Sequence, residues 1–97
     1  MYIIKNAKIV ENKELKEVTI LIEAGKIKQI VSGNNIPTFV EKEIDAKGNI
    51  VFPGFIDPHV HFDDPGFTER ENFETGTRSA AAGGITTIID MPCTSIP

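Results

Sequence analysis

Apolar and polar residues alternate along the first half of the chain in the way typical of short β-strands. In one such run Val18, Ile20 and Ile22 occupy every other position, which predicts a strand with one buried face. The run is followed by Ala24-Gly25-Lys26, a predicted turn whose glycine takes the left-handed conformation. The pattern predicts a small β-rich unit over residues 1–51, with strands at 2–10, 18–22, 27–31 and 40–44.

The second half has the pattern of a strand, a helix and another strand. The first strand is centred on residues 55–62 and the second covers 85–90. Between them, Thr68 to Glu71 has the Ser/Thr-x-x-Glu form of a capping box, which predicts a helix start, and Gly83-Gly84 predicts its end. One face of this helix is formed by Phe73, Thr77, Ala80 and Ala81.

A strand–helix–strand unit implies two parallel strands joined by a right-handed crossover. Parallel sheets need both faces covered, which two strands and one helix do not achieve. We therefore expect residues 52–97 to open a larger α/β domain. The chain is expected to be the N-terminal part of a longer protein, or one piece of an assembly.

His59 and His61 are the only histidines in the sequence. In an extended strand, positions i and i+2 project to the same face about 6.6 Å apart, with Val60 turned the other way. Two imidazoles at this spacing can converge on one metal ion at about 2.0–2.1 Å per nitrogen. Two ligands are half of a zinc shell. The motif alone therefore leaves open the alternative that the two histidines occur on one strand by chance and bind no metal.

Composition narrows the class of protein. A formal charge of −4 over 97 residues without a basic cluster argues against a nucleic-acid surface. No apolar run approaches the ~20 residues that span a bilayer, and the start of the chain lacks the pattern of a signal peptide. The single cysteine, Cys93, excludes an internal disulfide. These features predict a cytoplasmic protein with no nucleic-acid or membrane partner.

An ordered set of motifs resembles the opening of the cyclic amidohydrolases, the group of dihydroorotase, allantoinase and hydantoinase. The resemblance is continuous from about Gly48 to Pro97 and looser before it. The matching segments are Pro53-Gly54-Phe55-Ile56-Asp57-Pro58-His59-Val60-His61, Pro65-Gly66, Thr75-Gly76-Thr77-Arg78, Gly83-Gly84-Ile85-Thr86-Thr87 and Met91-Pro92.

The resemblance implies an α/β fold: a (β/α)8 barrel of the TIM type, preceded by part of a small β-sandwich that both ends of the full chain build. It implies one or two divalent metals, usually zinc, with manganese, cobalt or iron as alternatives. His59 and His61 match the first two metal ligands. The carboxylated lysine, two further histidines and the aspartate that shuttles protons come from later strands, so the 97-residue chain alone is expected to be inactive.

Three further residues have a structural interpretation, which for Asp57 competes with a role at the site. Asp57 shares the strand face of the histidines by parity, and either orients a ligand from behind or fixes the loop backbone. Asp90 is predicted to be structural at a strand end, and Arg78 on a solvated helix face.

The resemblance also bears on the substrate. Dihydroorotases typically have an arginine two residues after the second histidine and an asparagine after Met-Pro, where this chain has Asp63 and Cys93. An aspartate would repel the carboxylate of dihydroorotate. The pattern favours ring hydrolysis of the allantoinase type, with a small cyclic amide or ureide as substrate. Cys93 is otherwise a small apolar filler, and Arg70 lies near enough in sequence to compensate for Asp63.

The alternatives are a dihydroorotase of pyrimidine biosynthesis and a hydantoinase or dihydropyrimidinase. Outside the enzymes, they are a non-catalytic structural relative and a small β-rich binding module. The complete protein is expected to be a homo-oligomer.

Overall fold

The computed structural model describes residues 1–64 and 66–91, and Cys93 lies outside the described residues. The chain divides into two compact units, Met1–Phe52 and Pro53–Pro97. The predicted boundary lies one residue earlier. In the described ranges no helix is both long and apolar enough to cross a membrane.

The first unit is a mixed sheet of four strands. These are β1 (Tyr2–Glu11), β2 (Glu14–Glu23), β3 (Lys26–Ser32) and β4 (Lys42–Asp45), arranged in the order β3-β2-β1-β4. Neighbours along β1, β2 and β3 are antiparallel, whereas β4 runs parallel to β1. Two-residue turns join the hairpins, with positive φ at Asn12, Lys13, Ala24 and Gly25. The left-handed glycine predicted at Gly25 is thus confirmed, with φ 74°.

The prediction of one buried face on β2 was wrong. Val18 and Ile20 face a cluster with Ala7, but Thr19 and Leu21 on the opposite face are buried as well. On that opposite face Leu21 pairs with the fully buried Ile3 of β1. The hydroxyl of Thr19 is satisfied because it donates to the carbonyl of Gly33 at 2.7 Å.

The second unit has the predicted strand, helix and strand. They are β5 (Phe55–Val60), α1 (Phe73–Ala82) and β6 (Ile85–Asp90), and the two strands pair in parallel. The carboxyl ends of β5 and β6 therefore lie side by side, so the residues that follow each strand are brought to one edge.

The predicted helix start at Thr68 was wrong. Residues 68–70 form a turn, and α1 is capped by Asn72, whose side chain accepts the N–H of Thr75 at 2.8 Å. The hydroxyl of Thr75 in turn accepts the N–H of Asn72, so the capping box lies four residues later than predicted. Asp64 accepts the next free amide, that of Phe73, which fixes the start of α1 to the loop after β5.

Most of the predicted face of α1 is exposed. Thr77 and Ala81 are exposed, and the one buried residue among those described in the helix is Gly76. Gly76 faces the ring of Phe62, which is 6% exposed and also packs edge-on against Phe73. The ring of Phe62, the residue after His61, thus packs against α1 at a position where glycine leaves room for it. The helix ends as predicted at glycine, with Gly84 in the left-handed conformation at φ 85°.

Replacing Gly76 by alanine is expected to destabilise the second unit. A Cβ at this position would lie 2.9 Å from three carbons of the Phe62 ring, so the ring or the helix must move. Overpacking of this kind costs about 1–3 kcal/mol. Denaturant unfolding of the complete protein measures the loss, with Gly83→Ala as the matched control because its Cβ would meet no atom closer than 3.5 Å. Equal stability of the Gly76→Ala and parent proteins would contradict this packing.

Candidate metal site

The site begins where β5 loses its regular pairing. Asp57 lies opposite Ile88 and Val60 lies opposite Asp90. Over this stretch β5 therefore contains one more residue than β6. Pro58 lies inside the irregular stretch, and proline has no N–H to give to a sheet ladder. The register shift therefore falls on the stretch that contains the first of the two histidines.

The imidazoles of His59 and His61 come together as the spacing predicted. Their Nε2 atoms are 3.2 Å apart, and the rings meet edge to face at 79° with centroids 5.1 Å apart. Both residues are exposed at the carboxyl end of β5. The two side chains therefore point their outer nitrogens at one another.

The backbone of Met91 sets the tautomer of His61. The carbonyl oxygen of Met91 lies within hydrogen-bonding distance of His61 Nδ1, and a carbonyl only accepts. Nδ1 must therefore carry the hydrogen, which leaves Nε2 of the neutral ring with a free lone pair. That lone pair faces Nε2 of His59.

This arrangement fits a divalent metal ion. Two nitrogens bound at 2.0–2.1 Å to a tetrahedral ion lie about 3.3–3.4 Å apart, close to the 3.2 Å observed. Metal-bound histidines commonly donate their other ring N–H to a carbonyl or carboxylate, as His61 does to Met91. Within residues 1–64 and 66–91 no cluster of three or more histidine, cysteine, aspartate or glutamate side chains forms, so the described part of the chain offers a pair of ligands.

Asp57 has a backbone partner. Its Oδ1 accepts the N–H of His59 at 3.1 Å, the two-residue turn that aspartate often makes with its own backbone. The irregular pairing after Asp57 breaks the regular alternation on which the parity argument depended. This contact is the one expected if Asp57 fixes the loop backbone, and a role in orienting an imidazole stays a prediction.

The loop after the histidines starts with a left-handed residue. Asp63 has φ 60° and is half-buried, and its carbonyl accepts the N–H of Phe67 at 2.8 Å. The guanidinium of Arg70 stacks on the ring of Phe67, 4.8 Å from its centroid. Arg70 thus has an aromatic partner on the same loop that begins with Asp63.

Asp90 has a contact that the sequence analysis missed. Its Oδ1 accepts the N–H of Phe62 at 3.0 Å, so the last residue of β6 holds the backbone next to His61. The available signal was topological: in a parallel pair, the residue that ends the second strand lies beside the residue that ends the first. The prediction of Asp90 as structural left out this proximity to His61.

Comparison with known proteins finds a family match and several similar proteins. Residues 50–97 match the model of the amidohydrolase family. Dihydroorotase of Staphylococcus epidermidis is 49% identical over 94 residues, and that of Staphylococcus aureus is 48% identical over the same length. Each alignment covers 97% of this chain and 22% of the relative.

Among solved structures, L-hydantoinase (dihydropyrimidinase) from Arthrobacter aurescens superposes with a TM-score of 0.82 at 40% identity. The superposition covers 99% of this chain and 21% of that structure. The chain belongs to the cyclic amidohydrolase family. It spans about a fifth of the length of these relatives.

As a member of the cyclic amidohydrolases, the chain is similar to proteins named for two of the three predicted activities. Dihydroorotase and hydantoinase, the alternatives in the sequence analysis, are both represented among these relatives. The favoured allantoinase interpretation receives no support from them.

Proposed function

We propose that the complete protein opens a cyclic amide by hydrolysis, with a divalent metal, usually zinc in this family, held by His59 and His61. The convergence of the two Nε2 atoms at 3.2 Å carries the proposal. The names of the relatives supply the reaction class, since dihydroorotases and hydantoinases are enzymes of cyclic amides.

The proposed architecture is the start of a (β/α)8 barrel, with β5 and β6 as its first two strands and the sheet of the first unit as part of a β-sandwich. The parallel pairing and the intervening helix support it. Active sites of such barrels lie at the carboxyl ends of the strands, which is where His59 and His61 are found. The remainder of the protein then supplies the other ligands.

Each residue of the pair has a defined task in this proposal. A divalent metal held there would supply Lewis-acid polarisation of a ring carbonyl and would lower the pKa of water to near neutral, so that deprotonated water is available to attack the ring. His61 presents a lone pair at Nε2 because Met91 holds the hydrogen at Nδ1. His59 would present the same atom in the tautomer that carries its hydrogen on Nδ1. Both side chains are neutral ligands, so they leave the positive charge of the ion available to the substrate.

For the substrate we propose a neutral ring of the hydantoin or dihydropyrimidine kind. Asp63 follows His61 by two positions and begins the loop at the carboxyl end of β5. A carboxylate there opposes binding of an anionic ring such as dihydroorotate. Hydrolysis of dihydroorotate is the second candidate, because the two staphylococcal dihydroorotases are 48–49% identical to this chain. The cytoplasmic location and the homo-oligomeric state stay predictions.

Removing the metal is expected to abolish ring opening by the complete protein, and adding zinc back is expected to restore it. The measurement follows hydantoin and dihydroorotate consumption before chelation, after chelation and after zinc is returned. A matched sample that is chelated and dialysed without zinc controls for irreversible unfolding. Turnover that is indifferent to chelation would overturn the proposed metal-dependent function.

A further inference from the structure

We propose that Asp90 is a positioning residue for metal binding by His61. Its carboxylate holds the backbone amide of Phe62 and so fixes the direction in which the His61 imidazole leaves the strand. The inference rests on the proposed function, in which His61 is a metal ligand, and extends it to the neighbouring strand.

Asp90, which ends β6, and Met91, which follows it, make three contacts around His61. The N–H of Met91 donates to the carbonyl of Val60 at 2.7 Å, just before the histidine. The carbonyl of Met91 accepts from the His61 ring. The carboxylate of Asp90 accepts the N–H of Phe62, just after the histidine.

Only one of these three contacts depends on a side chain of β6. The two contacts of Met91 use its backbone and would survive substitution of its side chain. Phe62 lies beyond the last paired residue of β5, so its amide has passed the end of the regular ladder. The side chain of Asp90 replaces the missing strand partner, and a carboxylate accepts such a hydrogen bond more strongly than a neutral group.

The position of Phe62 is fixed by its packing. Its ring is buried against Gly76 and Phe73, so the amide cannot easily turn to another partner. The hydrogen bond to Asp90 and the packing of the Phe62 ring against α1 together define the path of the backbone around His61. If the Asp90 contact is lost, the imidazole keeps its bond to Met91 but loses the fixed backbone behind it.

The main comparison of the test uses three substitutions in the complete protein. Asp90→Ala removes the acceptor, Asp90→Asn keeps an oxygen in the same place without the charge, and Asp45→Ala is the matched control. Asp45 also ends a strand and accepts a backbone N–H, that of Lys47 at 2.8 Å, but it belongs to the first unit. Hydrogen bonds from the Asn6 side chain and the Lys47 backbone hold the pKa of the Asp45 carboxyl below its usual range.

The readout is zinc affinity of the metal-free protein, measured in competition with a coloured chelator, together with the visible spectrum of the Co²⁺-loaded form. Asp90→Ala is expected to weaken zinc binding about tenfold and to alter the Co²⁺ spectrum; this is the low end of the loss typical for direct outer partners of metal ligands, because Asp90 holds the backbone next to His61 and not its ring. Asp90→Asn should recover most of the affinity, and Asp45→Ala should bind as the parent does. Thermal unfolding of each metal-free variant separates affinity from stability.

Parent-like affinity and spectrum in Asp90→Ala would overturn the inference, as would an equal loss in Asp45→Ala. If Asp90→Ala does not fold, Asp90→Glu decides: its carboxylate is displaced by one methylene, and an unchanged Co²⁺ spectrum counts against positioning. His61→Ala distinguishes the two levels of the argument. Zinc affinity unaffected by His61→Ala refutes the proposed function, whereas loss in His61→Ala with none in Asp90→Ala refutes only the role of Asp90.

Discussion

Replacing His61 by alanine in the complete protein is expected to remove the bound metal and the ring-opening activity together. The substitution deletes a nitrogen whose lone pair is aligned by Met91 and lies 3.2 Å from its partner on His59. Changes around a metal ligand typically cost 10–100-fold in affinity or activity, so loss of the ligand itself should cost more. The measurement is metal content by elemental analysis alongside kcat/KM.

His59→Ala should behave in the same way, because both nitrogens face one point. Arg78→Ala is the control: Arg78 is on the exposed side of α1, where its pair with Glu74 at 3.0 Å is highly solvated and worth little. Full metal occupancy in both histidine variants would show that the two imidazoles are not ligands.

The second large effect concerns substrate choice. We expect kcat/KM for hydantoin or a dihydropyrimidine to exceed that for dihydroorotate by about one to two decades. Losing a charge-assisted hydrogen bond costs on the order of 1.5–3 kcal/mol, which corresponds to that ratio. The expectation depends on Asp63 standing where a carboxylate-binding arginine is typical of dihydroorotases. All substrates should be compared on one metal-loaded preparation.

Asp63→Asn provides the matched variant, since it removes the charge and keeps the size and the left-handed conformation that asparagine tolerates. It should raise kcat/KM for dihydroorotate and leave that for the neutral rings nearly unchanged. If dihydroorotate is the best substrate of the parent protein, the charge of Asp63 does not oppose it. Arg70, stacked on Phe67 in the same loop, would then be the first residue to examine as a carboxylate partner.

Much of the fold could be predicted from the spacing of apolar residues and turn formers. The strands and the parallel pair of the second unit were predicted because each has a local signature. The parallel alignment of β4 with β1 has none, since it depends on where a nine-residue connection over 33–41 delivers the chain. The helix start was missed because Thr68 to Glu71 and Asn72 to Thr75 both offer capping side chains. Contacts of Asp64 and Asn72 decide between them.

In the site, too, features with a local sequence signature could be predicted and features without one could not. Two histidines at i and i+2 could be paired from strand geometry alone, and their Nε2 atoms do converge. Asp57 could not be placed by parity because Pro58 interrupts the ladder within two residues of it. Asp90 and Met91 come from a strand some 30 residues away, so their contacts with Phe62 and His61 follow from the parallel pairing and not from any local pattern.

A crystal structure of the complete protein tests most directly whether one metal ion is held by both imidazoles. Anomalous diffraction recorded on both sides of the zinc absorption edge locates the ion without assumptions about its ligands. We expect a strong zinc peak about 2.0–2.1 Å from Nε2 of His59 and from Nε2 of His61. A zinc peak elsewhere in a fully loaded crystal, with the two imidazoles still 3.2 Å apart and bonded only to each other, would contradict it.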